Sequence, residues 1–261
     1  MDKLDRAREI DEEIFKTFQD FMDKFSQVSK SFLFPKTLSA FMNFITSTNF
    51  IKEGIIELAY TDNTYSLNIL FRSLIEQFLK FQYIWIKFLE NKDDTIGADY
   101  WEFYSYSEDI DYAKAWNKVY TITNHIPERD PIEVIKEVNP SFEGLTNAEL
   151  KQKVSQFNYR NVVEYIVNRL SSNSSPIPPF VLMLIPEYSD LSSFVHGGPN
   201  TQRQMFKLSN EEERQKDIIR LTGLAMQIAN TVKLLTYLAI YQYDKTVSFH
   251  YNQTNDLIKK I

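Results

Sequence analysis

Apolar residues recur at helical spacing through long stretches of this chain, and that periodicity constrains the fold more than any other feature. Over residues 2–29 they include Leu4, Ile10, Ile14, Phe18, Phe21 and Phe25. The same spacing predicts helices over residues 36–60 and 63–90 and a fourth, aromatic-rich helix that extends to Trp116. No useful length of sequence alternates apolar and polar residues as a strand does. The chain is therefore predicted to be all-α, a bundle of long antiparallel helices.

A last long helix is predicted from a Ser209 or Asn210 cap to about Tyr243. Its middle, LTGLAMQIANTVKLLTYLAIYQY, is long and apolar enough to span a membrane. Asn230 and Lys233 lie inside it, however, and amide and ammonium groups are costly at the centre of a bilayer. A buried bundle helix is therefore the prediction, and a membrane span is the weakest alternative.

Between residues 122 and 180 the long helices give way to prolines and the run SSNSSPIPP. We predict an irregular insertion of short helices and loops there, within a single helical domain that spans residues 1–261. Residues 245–261 are interpreted as a polar tail, in which His250 is expected to be solvated.

The composition excludes several classes of protein. With no cysteine there is no disulfide, thiolate metal site, iron–sulfur cluster or cysteine nucleophile. Neither common glycine-rich phosphate loop is present, and the three histidines lack metal-ligand spacing, so no metal and no cofactor is expected. A net charge of −6 disfavours non-specific binding of nucleic acid over a broad surface. The charged first residues lack the apolar run of a secretory signal, which favours a cytoplasmic location.

One face of the third predicted helix carries a row of charges. In FRSLIEQFLKF, Arg72, Glu76 and Lys80 stand one helical turn apart, beside a broad apolar stripe. The row is interpreted either as a partly buried site or as an ordinary ion pair at the edge of the bundle.

The stretch YSDLSSFVHGGPN sets a polar helix face before a helix stop. Ser189, Ser192 and His196 share that face, while Tyr188 lies on the apolar side. A helix C-terminus favours positive charge, so His196 suits a proton donor or an anion contact better than a metal ligand. Alternatively, His196 bonds only the last carbonyls of the helix, and Gly197 ends it.

Together, the R-S-x-x-E segment (Arg72, Glu76) and the Y-x-x-L-S-x-x-x-H-G segment (Tyr188, Ser192, His196) resemble a family of prokaryotic helical proteins of unknown function. That family is distantly similar to the HEPN superfamily. The resemblance implies a helical bundle, commonly dimeric, and in many members a metal-independent ribonuclease of toxin–antitoxin, CRISPR-linked or anti-phage systems.

The catalytic signature of that superfamily is an arginine followed a few residues later by a histidine, and this chain lacks it. The hypothesis is that Arg72 supplies the cation from another helix, His196 exchanges a proton with RNA, and Glu76 orients either of the two. Four further residues are expected to contribute to binding: Lys80, Tyr188, Ser192 and Arg203.

Two functions follow as hypotheses. The first is a HEPN-like endoribonuclease effector of a prokaryotic defence or stress-response system, released by a partner or a signal. The second is a non-catalytic helical binding module that holds a protein partner or a small anionic ligand. A homo-oligomer is expected, with RNA or a protein activator as partner and no membrane.

Overall fold

The computed structural model describes residues 3–123, 130–139, 142–170 and 180–260. Within these ranges the regular structure is helical and no strand is present, so the all-α prediction is confirmed. His125 and the proline-containing run at residues 171–179 lie outside the described residues.

The described residues form long helices joined by short connections, with a group of shorter helices in the second half of the chain. In chain order the helices are α1 (Lys3–Ser31), α2 (Pro35–Tyr60), α3 (Thr64–Asn91), α4 (Thr95–Thr123), α5 (Pro131–Val138), α6 (Asn147–Ser155), α7 (Tyr159–Leu170), α8 (Val181–His196), α9 (Pro199–Lys207), α10 (Glu211–Tyr241) and α11 (Ser248–Ile258). A 3₁₀ turn, Lys245–Val247, precedes α11.

Helix α3 is the centre of the bundle, because its apolar stripe is covered on several sides. It packs against α2, α10, α8 and α7. The ring of Phe81 contacts that of Phe41 on α2 edge to face, and the Trp85 indole N–H donates to the Leu235 carbonyl of α10 at 2.9 Å. The wide apolar stripe that predicted a central helix is therefore buried as expected.

Helix α10 is the one described helix that is long and apolar enough to cross a membrane by length and composition. Within the protein, 72% of that apolar window is buried. Lys233 is fully buried there, and its ammonium group donates to Asn49 and Asn230 at 2.8 Å each. The polar residues that argued against a membrane span thus have partners on α2 and on α10 itself.

A second, smaller core lies where α4 meets α5 and α6. Its largest members are Phe103 and Phe142, whose rings stack with centroids 5.2 Å apart. Helix α7 instead joins the main core through Val162 and Ile166. Short helices were expected between the long ones. Of these, α5 and α6 extend the bundle from α4, and α7 packs on α3.

The end of the chain differs from the expectation. Residues 248–258 form α11, which packs on α1 and α10, and His250 is only 1% exposed, with its ring 5.7 Å from that of Phe21. The expectation of a solvated histidine was wrong. His250, Thr254 and Leu257 recur at i, i+4 and i+7, so one side of a polar-looking segment faces inward.

Candidate functional site

The side chain of Arg72 reaches from α3 to α8. Its Nε donates to Ser192 Oγ at 3.2 Å, and its Nη2 donates to the Tyr188 hydroxyl at 2.6 Å. The guanidinium also lies over the Tyr188 ring, 4.4 Å from the centroid. The two sequence segments that carry the family resemblance therefore meet at this junction.

Glu76 receives hydrogen bonds from both helices. Lys80 Nζ donates to Oε1 at 2.9 Å, the Tyr188 hydroxyl donates to Oε2 at 3.2 Å, and Arg72 Nη1 lies 3.6 Å from Oε2. Lys80 Nζ also donates to the Tyr104 hydroxyl of α4 at 2.7 Å. Two cations thus share one carboxylate, which leaves this α3–α8 cluster with a single net positive charge.

The cluster is partly open to solvent, and Glu76 and Lys80 both stay charged at neutral pH. The side chains of Arg72, Glu76 and Lys80 are 20%, 27% and 9% exposed. Burial by itself raises the pKa of Glu76, but the hydrogen bonds from Lys80 and Tyr188 and the two cations lower it below its usual value. Burial lowers the pKa of Lys80, and its bonds to Tyr104 and Glu76 raise it above the usual value.

Stacked tyrosines form the wall of the cluster. The rings of Tyr159 and Tyr188 lie 3.8 Å apart at 18°, and those of Tyr100 and Tyr104 lie 5.3 Å apart at 18°. Burial, with the nearby Tyr188 and Glu76, raises the pKa of Tyr159 to about 12. Burial and the Glu76 carboxylate also raise the pKa of Tyr188. Tyr159 and Tyr188 therefore stay neutral and act through hydrogen bonds and their ring faces.

Both cations retain hydrogen-bonding capacity. A guanidinium has five N–H donors, and Arg72 uses two of them in the bonds to Ser192 and Tyr188. An ammonium group has three, and Lys80 uses two of them on Glu76 and Tyr104. Chemically, the arrangement suits an oxyanion, which would accept the remaining donors while Glu76 holds both cations in place.

His196 and Arg203 are not brought into the cluster. His196 is exposed at the last position of α8, and no described hydrogen bond or ion pair joins it to Arg72 or Glu76. Gly197 follows with φ of 61°, and its N–H bonds the Ser193 carbonyl, so the predicted glycine stop is confirmed. Arg203 is exposed on α9. The structure thus assembles Arg72, Glu76, Lys80, Tyr188 and Ser192 and leaves the other two predicted residues outside.

The sequence did not predict Tyr104 and Tyr159 as members of the cluster. Tyr104 belongs to the aromatic run of α4, and Tyr159 begins α7, so each reaches Lys80 or Tyr188 only through tertiary packing. Periodicity within one helix carries no signal for such contacts.

Among the described residues, no group of three or more His, Asp or Glu side chains is placed to hold a metal ion. Comparisons of the chain with protein-family models, with curated proteins and with solved structures found no match.

Proposed function

We propose that this chain is a helical binding module whose α3–α8 cluster holds a small oxyanion, either free or as part of a partner molecule. The observation that carries the proposal is the sharing of one carboxylate, Glu76, by Arg72 and Lys80 at a partly exposed edge. Because a buried cation is costly without a counter-ion, the second positive charge favours an external anion.

The geometry suits oxyanions such as phosphate and carboxylate. The guanidinium of Arg72 is held by Ser192 Oγ and the Tyr188 hydroxyl, so its direction is fixed before a ligand arrives. A guanidinium that is already oriented loses little side-chain entropy on binding a phosphate or carboxylate. No metal is needed for this recognition, because the charge comes from Arg72 and Lys80.

Titration with inorganic phosphate tests the proposal, with chloride at equal ionic strength as the reference. Calorimetry should show saturable binding to the wild type, and Arg72→Gln or Lys80→Met should weaken it at least tenfold, or about 1.4 kcal/mol. Lys87→Gln is the matched control, a lysine of the same helix that lies over the Tyr165 ring. Equal heats for phosphate and chloride would mean that the cluster only ties α3 to α8.

A ribonuclease effector of a prokaryotic defence or stress-response system is the second candidate. It is favoured by His196, which follows Ser192 by one turn on α8 and is exposed to solvent. Side chains at this spacing lie about 5–6 Å apart at Cβ. RNA bound with a phosphate on Arg72 would therefore bring its reacting oxygens toward His196, which would transfer the proton while Arg72 stabilised the added charge.

Cleavage of total RNA in EDTA distinguishes the two candidates. If the chain is a nuclease, the wild type cleaves, and His196→Ala and Arg72→Ala both abolish cleavage while circular dichroism shows unchanged helix content. A chain that binds phosphate through Arg72 but leaves RNA intact is a binding module.

A further inference from the structure

A cavity of about 280 Å³ lies between α8, α9 and α10, and Asn68 of α3 also lines it. Three of its lining residues, Asn68, Leu191 and Phe194, are buried and form its inner end. Pockets that hold small molecules begin at about 300 Å³, so this volume suits a small ligand. No residue of the α3–α8 cluster lines this α8–α10 cavity, so a ligand bound in it is a second ligand.

One excess negative charge of the cavity is partly buried. Arg220 donates to Glu187 at 2.9 Å and to Asp217 at 2.8 Å. The side chains of these two carboxylates are only 26% and 20% exposed. Because one guanidinium serves two carboxylates, a single negative charge is left over on this side of the cavity.

A second excess negative charge lies at the rim. Asp190 of α8, Lys207 of α9 and Glu213 of α10 are all exposed there. Among the described residues Asp190 and Lys207 have no ion-pair partner, and Glu213 has only a 3.6 Å contact with Lys216, which does not line the cavity. Two carboxylates and one ammonium group again leave one negative charge. The cavity therefore favours a ligand with two positive charges at different depths.

An amide oxygen at the inner end of the cavity has no donor. Asn68 Nδ2 donates to the Thr64 carbonyl at 2.7 Å. A carbonyl can only accept, so that bond fixes the orientation of the amide and leaves Oδ1 as the free atom. Within the described part of the chain no N–H or O–H group donates to Oδ1, although Asn68 is only 3% exposed. A buried acceptor without a donor is costly, which favours a ligand that donates a hydrogen bond there.

We propose that the α8–α10 cavity binds a short aliphatic diamine in its doubly protonated form. One ammonium group donates to Asn68 Oδ1 and balances the charge left over by Glu187 and Asp217. The other ammonium group lies at the rim, between Asp190 and Glu213. Hydrogen bonds from an ammonium group to a carboxylate are stronger than those between neutral groups, so both ends of the ligand are held.

The lining between the two charged ends explains why the ligand is organic. Leu191 and Phe194 are buried and apolar, and methylene groups of a diamine would cover them. A divalent metal ion needs several oxygen ligands around one point. In the described ranges no three carboxylate or histidine side chains are grouped in that way. Two separated ammonium groups therefore match the cavity better than one doubly charged ion.

Calorimetric titration with 1,4-diaminobutane tests the proposal, with butylamine and magnesium chloride at equal ionic strength as references. The diamine should bind saturably and at least tenfold more tightly than butylamine, because butylamine can occupy only one of the two ends. Magnesium should not compete with it. Equal affinity for the diamine and butylamine, competition by magnesium, or no saturable binding of the diamine would each overturn the proposal.

Substitutions at the rim and one signal at the inner end locate the ligand. Asp190→Asn and Glu213→Gln should each weaken diamine binding at least threefold. Glu211→Gln is the matched control, because Glu211 is an exposed carboxylate in the same first turn of α10 and does not line the cavity. In an NMR titration the side-chain amide signal of Asn68 should shift with the same midpoint as the heat. An equal loss of affinity in Glu211→Gln, or an Asn68 signal that does not move, would show that the diamine is attracted only to the acidic surface.

Discussion

Asp11 is the buried carboxylate that joins α1 to α2 and α10. It forms an ion pair with Lys52 and accepts a hydrogen bond from Asn230 Nδ2 at 2.9 Å. Asn230 Oδ1 in turn accepts from Lys233, whose pKa is lowered to about 7 by burial and by the charge of Lys52. The buried carboxylate of Asp11 therefore balances the positive charge in this part of the interior. Glu53, at the surface, forms a second ion pair with Lys52.

Substitution of Asp11 by Asn should be strongly destabilising. The side chain keeps its size, but buried Lys52 loses its buried counter-ion and retains only the half-exposed Glu53, which costs about 3–5 kcal/mol of unfolding free energy. Urea denaturation measures the loss. Glu12→Gln is the control on the same helix, because Glu12 is 61% exposed and its described ion pair is with Arg8; it should change the free energy by less than about 1 kcal/mol. Equal effects of the two substitutions would contradict this account.

Half of the candidate site follows from the sequence, and the rest depends on tertiary structure. The i, i+4 spacing puts Arg72, Glu76 and Lys80 in one row whatever the packing. Their contacts with Tyr188 depend on how α8 is rotated about its axis and shifted along α3. The spacing of residues within α8 determines neither. His196 shares a face with Ser192, yet it lies one turn farther along α8 and forms no described hydrogen bond with Arg72.

At the level of elements, the junction of α2 and α4 depends on Asp94. Its carboxylate accepts the backbone N–H of Lys36 at 2.9 Å and of Thr37 at 2.7 Å, which satisfies free donors at the start of α2. Asp93 and Asp94 both resemble caps of α4 in sequence, but only the Asp93 side chain serves α4. Asp94 caps a helix that begins far earlier in the chain, a contact without a local signal.

Gly97 permits the close approach that this capping requires. A Cβ at Gly97 would lie 2.2 Å from the backbone nitrogen of Thr37. Gly97→Ala should therefore separate the two helix ends and cost about 1–3 kcal/mol or more. Gly223→Ala, inside α10 with open space around its Cβ, should be neutral or stabilising by up to about 1 kcal/mol. Thermal unfolding of both variants checks this prediction, and equal melting temperatures would refute it.

Helix ends were predictable where the signal is local. Asn63 and Asn210 accept backbone N–H groups at the starts of α3 and α10, as residues of that type do in isolated helices. Helices α9 and α11 were not predicted, because short helices draw their stability from packing. In α11 the buried residues are surrounded in sequence by Ser, Asn, Gln and Asp, so the composition of the segment does not indicate that one face is buried.

At the scale of the whole molecule, α11 closes the bundle over α1 and α10 with buried polar groups. Neither ring nitrogen of His250 nor the Tyr237 hydroxyl has a hydrogen-bond partner among the described residues, and their rings lie 6.0 Å apart. Burial and the charge of Lys24 lower the pKa of His250, against a weaker raising effect of Asp20. The packing of α11 therefore favours the neutral imidazole.

Stability should consequently fall in acid through His250. Above about pH 6.5 the histidine is neutral in both the folded and the unfolded chain. Below that value the unfolded chain binds the proton first, so the free energy of unfolding declines until the lowered folded pKa is passed. His250→Phe removes the proton site without removing a described hydrogen bond, so the variant should lose less stability than the wild type between pH 7 and pH 5. His196→Gln, a change at the exposed histidine, should follow the wild type. Urea denaturation at several pH values across this range tests the prediction. If the free energies of unfolding of wild type and His250→Phe change with pH in parallel, α11 tolerates a charged imidazole and its docking is independent of pH.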